Sequence, residues 1–177
     1  SGKTIVSLIS AANVIRSNWQ VALMAPTEIL AKQHYKLACK VFKSTNINIE
    51  FLSGSSTNKE KKIVQENLKK NKIDLLIGTH ALFQKNIEFK NLGLVIIDEQ
   101  HKFGVRQRIE LSKKGGVNCD LLLMSATPIP RTLILAVYGD MDVSRIVEKP
   151  NYRKNIITLS KPEEKIDEII LFIKNQI

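Results

Sequence analysis

Short apolar runs along this chain alternate with stretches in which apolar residues recur every three or four positions. Strands are read at Val21 to Ala25, Ile49 to Leu52, Asp74 to Ile77, Leu94 to Ile97 and Leu121 to Met124. The unbroken branched aliphatics of Leu94 to Ile97 read as a strand buried on both faces, as in a parallel sheet. Ile5, Leu8, Ile9, Ala12 and Ile15 carry helical spacing over Ile5 to Arg16. Pro26-Thr27 breaks the strand before it, and Thr27 is suited to cap a helix from Glu28 to about Phe42. Ser53-Gly54-Ser55-Ser56 ends the next strand, and Thr57 or Asn58 opens a basic amphipathic helix to about Lys70. Gly78-Thr79-His80 closes the strand begun at Asp74. Strands alternating with helices predict an α/β three-layer sandwich with a mainly parallel central sheet.

After Tyr138 the texture changes. Gly139-Asp140 and Lys149-Pro150-Asn151 are turn signals. Ile156 to Leu159 reads as a strand and Glu163 to Lys174 as a helix, with Ile166, Ile169, Ile170 and Ile173 on one face. The expected division is therefore 1–148 as one domain and 149–177 as a linker and the start of another.

Candidate chemistry gathers where strands end. Leu94-Val95-Ile96-Ile97 runs straight into Asp98-Glu99. Acids at the end of a parallel strand sit at the sheet's carboxyl edge, where open α/β sheets bind ligands. One carboxylate can hold Mg²⁺ and the next can orient or deprotonate an attacking water. A strand that simply exits into a polar turn would look the same, but Ser1-Gly2-Lys3-Thr4 tips the balance. These residues match the last four positions of the phosphate-binding loop G-x-x-x-x-G-K-[ST]. Gly2 lets the backbone approach phosphate oxygens, Lys3 supplies a point charge, and Thr4 offers a hydroxyl to Mg²⁺. The helix that follows aims its positive end at the same anion. Because Ser1 lies inside this motif, the chain is expected to be a fragment of a longer protein.

The formal net charge is +10 and the pI about 9.6, which favours a polyanionic partner, most simply nucleic acid. A lysine-rich surface from a biased composition is the alternative. Aromatics make up 6% and Trp19 is the sole tryptophan, so contact through the phosphate backbone is expected rather than base stacking. No apolar run approaches the ~18 residues of a membrane span. Cys39 and Cys119 read as reduced, buried thiols of a cytosolic protein, and with three scattered histidines they make a poor zinc set. His34 falls within a predicted helix, where a core or surface role is the default.

Together the motifs resemble those of superfamily 2 helicases. Ser1-Gly2-Lys3-Thr4 looks like the end of motif I, and Ala25-Pro26-Thr27-Glu28-Ile29-Leu30-Ala31-Lys32-Gln33-His34 like motif Ia. Gly78-Thr79-His80-Ala81-Leu82 looks like motif Ib, Asp98-Glu99-Gln100-His101 like motif II, and Ser125-Ala126-Thr127 like motif III. Three longer segments, 98–105, 124–133 and 138–144, resemble the bacterial DNA helicases that remodel stalled forks and branched recombination intermediates. Transcription-repair coupling translocases share Ala126-Thr127-Pro128-Ile129-Pro130-Arg131-Thr132-Leu133, but usually place a second acid where this chain has Gln100-His101.

The resemblance implies a P-loop NTPase (RecA-like) fold, with 1–148 as the first helicase lobe and 149–177 leading into the second. It implies ATP bound by Ser1, Gly2, Lys3 and Thr4, and Mg²⁺ held by Thr4 and Asp98. Lys3, Asp98, Glu99, Gln100 and His101 would be catalytic, and Ser125, Ala126 and Thr127 would couple nucleotide to DNA. Thr27, Gly54, Thr79 and His80 would touch the nucleic-acid backbone. The implied partner is branched DNA, a fork or Holliday junction, and the implied state a cytoplasmic monomer without a membrane. Another superfamily 2 motor, or a non-catalytic truncated fragment, are the alternatives. The isolated chain is expected to have little activity, since hydrolysis in such motors needs an arginine from a second lobe.

Overall fold

The structure is a computed structural model and describes residues 2–84, 86–99, 116, 119–126, 142–146, 158, 160 and 162–175. Residues 2–146 and residues 147–177 fall into separate compact units. In the first, the elements are α1 (Lys3–Arg16), β1 (Gln20–Met24), α2 (Glu28–Val41), β2 (Ile49–Leu52), α3 (Asn58–Lys69), β3 (Leu75–Gly78), β4 (Leu92–Ile97) and β5 (Asp120–Leu123). A 3₁₀ turn at His80–Phe83, which the hydrophobic pattern did not reveal, follows β3. The second unit contains a 3₁₀ turn at Glu163–Lys165 and α4 (Ile166–Lys174), matching the helix expected at its end. The strand expected at Ile156 to Leu159 lies outside the described residues.

The five strands form one sheet in the order β2-β3-β1-β4-β5, and every neighbouring pair is parallel. All six residues of β4 are buried, among them the aliphatic run Leu94 to Ile97. The outer strands β2 and β5 are partly exposed. Successive side chains of a strand point to opposite faces, and the core divides accordingly. Val21, Leu23, Leu75, Ile77, Leu94 and Ile96 pack with Leu8 and Ala11 of α1 and Ala38 of α2. Ala22, Met24, Leu76, Val95 and Ile97 pack with Val64 and Leu68 of α3. The result is three layers, with α1 and α2 on one face and α3 on the other.

Two details tie the layers together. The buried Gln20 side chain donates to the carbonyls of Leu68 and Ile73 at 3.1 and 2.8 Å, and accepts from the amides of Lys90 and Asn91 at 2.9 and 3.0 Å. All of its hydrogen-bonding capacity joins β1 to the end of α3 and the loops around it, which is how a buried amide avoids a desolvation penalty. At Gly78 a Cβ would lie 1.9 Å from the Leu52 carbonyl oxygen, so only glycine lets β2 and β3 approach at their carboxyl ends. Cys39 is exposed and Cys119 half-buried, which corrects the expectation that both thiols are buried. Cys39 lies on the outer side of α2, away from the stripe formed by Ala31, His34 and Ala38.

Candidate active site at the carboxyl edge

A parallel sheet brings the ends of all its strands to one edge. Here that edge carries Pro26-Thr27 after β1, Ser53-Gly54 after β2, Thr79-His80 after β3, Asp98-Glu99 after β4 and Ser125-Ala126 after β5. The Asp98 amide donates to the Met24 carbonyl at 2.9 Å and the Met124 amide to the Ile97 carbonyl at 2.8 Å, so the sheet stays stitched up to the acids.

α1 starts with Gly2 at φ 144°, in the region that favours glycine, and no side chain caps it. The amides of Ile5 and Val6 donate to the Gly2 carbonyl at 3.0 and 3.1 Å, so the first turn is formed. Lys3 follows immediately, and its charge acts on Asp98. Lys3 and Asp98, far apart in sequence, are thus close enough for the charge of one to act on the other.

Asp98 is 8% exposed. Its Oδ1 accepts from the Glu99 amide at 3.0 Å, and its Oδ2 lies 2.7 Å from His34 Nε2. Burial works against ionisation of this carboxyl. The hydrogen bond and electrostatic pull of His34, the Glu99 amide and the Lys3 charge together outweigh it and hold the group below its ordinary value. Asp98 is thus an anion at neutral pH. Glu99 adopts φ 48°. Two asparagines, Asn18 and Asn71, share that left-handed region, but asparagine tolerates it and glutamate does so less readily. Such strain clusters where surrounding structure dictates a side chain's direction.

His34, for which the sequence suggested only the default core or surface role of a helix residue, is the further member of this centre. It is 7% exposed and lies with the fully buried Ala31 and Ala38 on the inner stripe of α2. A histidine at i+3 and i−4 from two small apolar residues was the available signal, since a buried ring nitrogen requires a partner.

The residues expected to touch nucleic acid gather beside this centre. Thr27 Oγ1 accepts from the Leu30 amide at 3.3 Å, so it caps α2 while remaining exposed. A Cβ on Gly54 would lie 3.6 Å from His80 Cε1, so these two exposed residues are neighbours. Ser55 donates to the Glu28 carboxylate at 2.8 Å, which joins the β2–α3 loop to the start of α2. Thr79 differs: it is 3% exposed, and its Oγ1 has no hydrogen-bond partner among the described residues. Ser125 is half-buried and Ala126 exposed. Ser1, Gln100, His101 and Thr127 lie outside the described residues.

Residues 1–135 match the DEAD/DEAH box helicase family. The chain belongs to that family. DEAD/DEAH box proteins are named for an acidic motif, of which this chain keeps Asp98-Glu99 and places Gln100-His101 in the remaining positions. Within the wider set of helicases, the ATP-dependent DNA helicase RecG of Aquifex aeolicus is 49% identical over 178 residues, covering 100% of this chain and 22% of that protein. RecG of Thermotoga maritima is 46% identical over 177 residues, covering 100% and 23%. A solved structure of RecG bound to a three-way DNA junction superposes with a TM-score of 0.82 at 44% identity, covering 98% of this chain and 23% of that one. The chain therefore spans less than a quarter of the length of these relatives. Its fold is the RecA-like α/β fold of these helicases.

Proposed function

We propose that this chain is the first RecA-like lobe of an ATP-dependent DNA helicase that remodels branched DNA, at stalled forks and recombination intermediates, in DNA repair and recombination. The observation that carries the nucleotide site is the buried Asp98 at the sheet edge, its oxygens held by His34 at 2.7 Å and by the Glu99 amide at 3.0 Å. Similarity to RecG across the whole chain, including one RecG structure with a three-way junction, supports branched DNA as the partner.

The residues fit Mg²⁺ and ATP. A hydroxyl at Thr4 and a carboxylate at Asp98 are hard oxygen donors of the kind Mg²⁺ takes alongside water and phosphate oxygens. Bound there, the ion would neutralise charge on the β- and γ-phosphates. Gly2 lets main-chain amides approach the phosphates, Lys3 places its ammonium on them, and the positive end of α1 adds to the same field. Glu99 accepts a proton from the attacking water and aims it at the γ-phosphorus. Gln100, His101, Ser125, Ala126 and Thr127 relay the state of the phosphate toward DNA. Thr27, Gly54 and His80 present a hydroxyl, a main-chain amide and an imidazole to the sugar–phosphate backbone. The net charge of +10 draws the polyanion to the protein without regard to sequence.

Residues 1–148 are then the nucleotide-binding lobe, and 149–177 the passage to a second lobe that supplies the catalytic arginine. A monomer in the bacterial cytoplasm is the proposed working state. The test is ATP hydrolysis by the full-length protein with forked DNA, linear duplex and RNA. Stimulation greatest with forks is expected. Greatest stimulation by RNA would move the protein to the RNA helicases, and equal stimulation by fork and linear duplex would favour a translocase that tracks along duplex.

A further inference from the structure

None of the steps above uses His34, although its ring is buried and its Nε2 sits 2.7 Å from Asp98 Oδ2. The two residues are 64 positions apart, so the contact forms only when folding brings His34 of α2 to the carboxyl end of β4. The Glu99 amide holds the other carboxylate oxygen at 3.0 Å. With one donor on each oxygen, rotation about the Asp98 side chain is suppressed. The remaining lone pairs keep a fixed direction. On α2 the ring is flanked by Ala31 and Ala38, both fully buried, whose small side chains leave it room beside the sheet. A histidine on a regular helix is a stiffer support than a water or a loop side chain.

We propose that His34 is a positioning residue of the metal site, which acts as an Nε2–H donor to fix the Asp98 carboxylate in the orientation that receives Mg²⁺. This rests on the carboxyl edge being a Mg²⁺–nucleotide site, as proposed above. Residues that orient a ligating side chain typically contribute 10–100-fold to metal affinity, although they never touch the ion. The competing account is a tie between α2 and β4 that serves stability alone. The two accounts separate cleanly. A tie lost from the fold weakens nucleotide binding with and without the ion, whereas a misdirected carboxylate weakens only the part that depends on Mg²⁺.

Side-chain geometry supplies a sharper control. The amide nitrogen of glutamine reaches about as far from the backbone as imidazole Nε2, and that of asparagine only about as far as Nδ1. His34→Gln therefore keeps a donor where Asp98 needs it, and His34→Asn does not. In the full-length protein, binding of a fluorescent ATP analogue is measured in EDTA and then across a Mg²⁺ titration, with Asp98→Asn as reference. Binding in EDTA should be the same for wild type and the three His34 variants. His34→Ala and His34→Asn should need about 10–100-fold more Mg²⁺ for half of the metal-dependent tightening. His34→Gln should stay close to wild type. Wild-type Mg²⁺ dependence in His34→Ala, equal weakening in EDTA, or a glutamine variant as impaired as alanine would each overturn the proposal. If wild type shows no Mg²⁺ dependence, or Asp98→Asn keeps it, the metal site itself falls, and the role of His34 with it.

Discussion

Helices α1 and α2 are both 14 residues long and lie on the same face of the sheet, yet their first turns are built in opposite ways. α2 is closed locally: Thr27 accepts from the Leu30 amide, and Glu28 places a negative charge in the first turn. α3 goes further, with a reciprocal pair in which Thr57 Oγ1 accepts from the Glu60 amide at 3.2 Å and Glu60 accepts from the Thr57 amide at 2.7 Å. α1 has a glycine in place of a cap, no acid in its first turn, and a lysine as its first residue. A cation at a helix N-terminus is unfavourable by roughly 0.3–1 kcal/mol taken by itself. Glycine and lysine become favourable choices once a phosphate supplies the missing acceptors and the missing charge. Under the proposed nucleotide site, the helix start that breaks the local rules is the one that meets the phosphates, and those that obey them belong to the scaffold.

The contrast can be broken at either end. The largest effect is expected at the chemical step. Glu99→Gln should leave ATP binding intact and lower kcat by about 10²–10⁴-fold, the range for a lost general base, as read by steady-state hydrolysis with saturating forked DNA. A scaffold cap behaves differently. Thr57→Ala should lower stability by roughly 0.5–2 kcal/mol in denaturant unfolding, with kcat and ATP affinity unchanged. Were Thr57→Ala to impair hydrolysis as strongly as Glu99→Gln, capped and uncapped helix starts would not differ in function.

The capped helices and the strands were legible because their signals are local. Thr57 with Glu60, Pro26-Thr27 and the aliphatic runs each act within a few residues, and the observed boundaries lie close to those expected. Gly2-Lys3-Thr4 and Asp98-Glu99 stood out for the same reason, as residue types in series that suit phosphate chemistry, and their role in it is the proposal. What escaped notice depends on chain segments that meet only after folding. His34 and Asp98 are 64 positions apart. Gln20 finds its partners on Leu68, Ile73, Lys90 and Asn91, none of them near it in sequence. The burial of Thr79 and the left-handed backbone of Glu99 are likewise seen only in the folded chain.

The smallest effect concerns the two thiols. Burial, helped by the Asp120 charge, pushes the Cys119 thiol up to about 11, which leaves little of the reactive thiolate at neutral pH. Cys39 is exposed. Iodoacetamide at neutral pH should therefore label Cys39 well before Cys119, as read by peptide mass mapping over time. Faster labelling of Cys119 would contradict its partial burial and raised thiol pKa.

The start of α1 is the point on which the account stands most directly, and Lys3→Ala in the full-length protein addresses it. Affinities for ATP and for AMP are measured by calorimetry at fixed Mg²⁺, together with the thermal unfolding midpoint. Loss of a charged hydrogen bond to phosphate corresponds to about 1.5–3 kcal/mol, so ATP affinity should fall by roughly 10–100-fold. AMP binding and the unfolding midpoint should stay as they are. Unchanged affinity for ATP would mean that the uncapped helix start holds no terminal phosphate, and the assignment of this edge as a nucleotide site would be wrong.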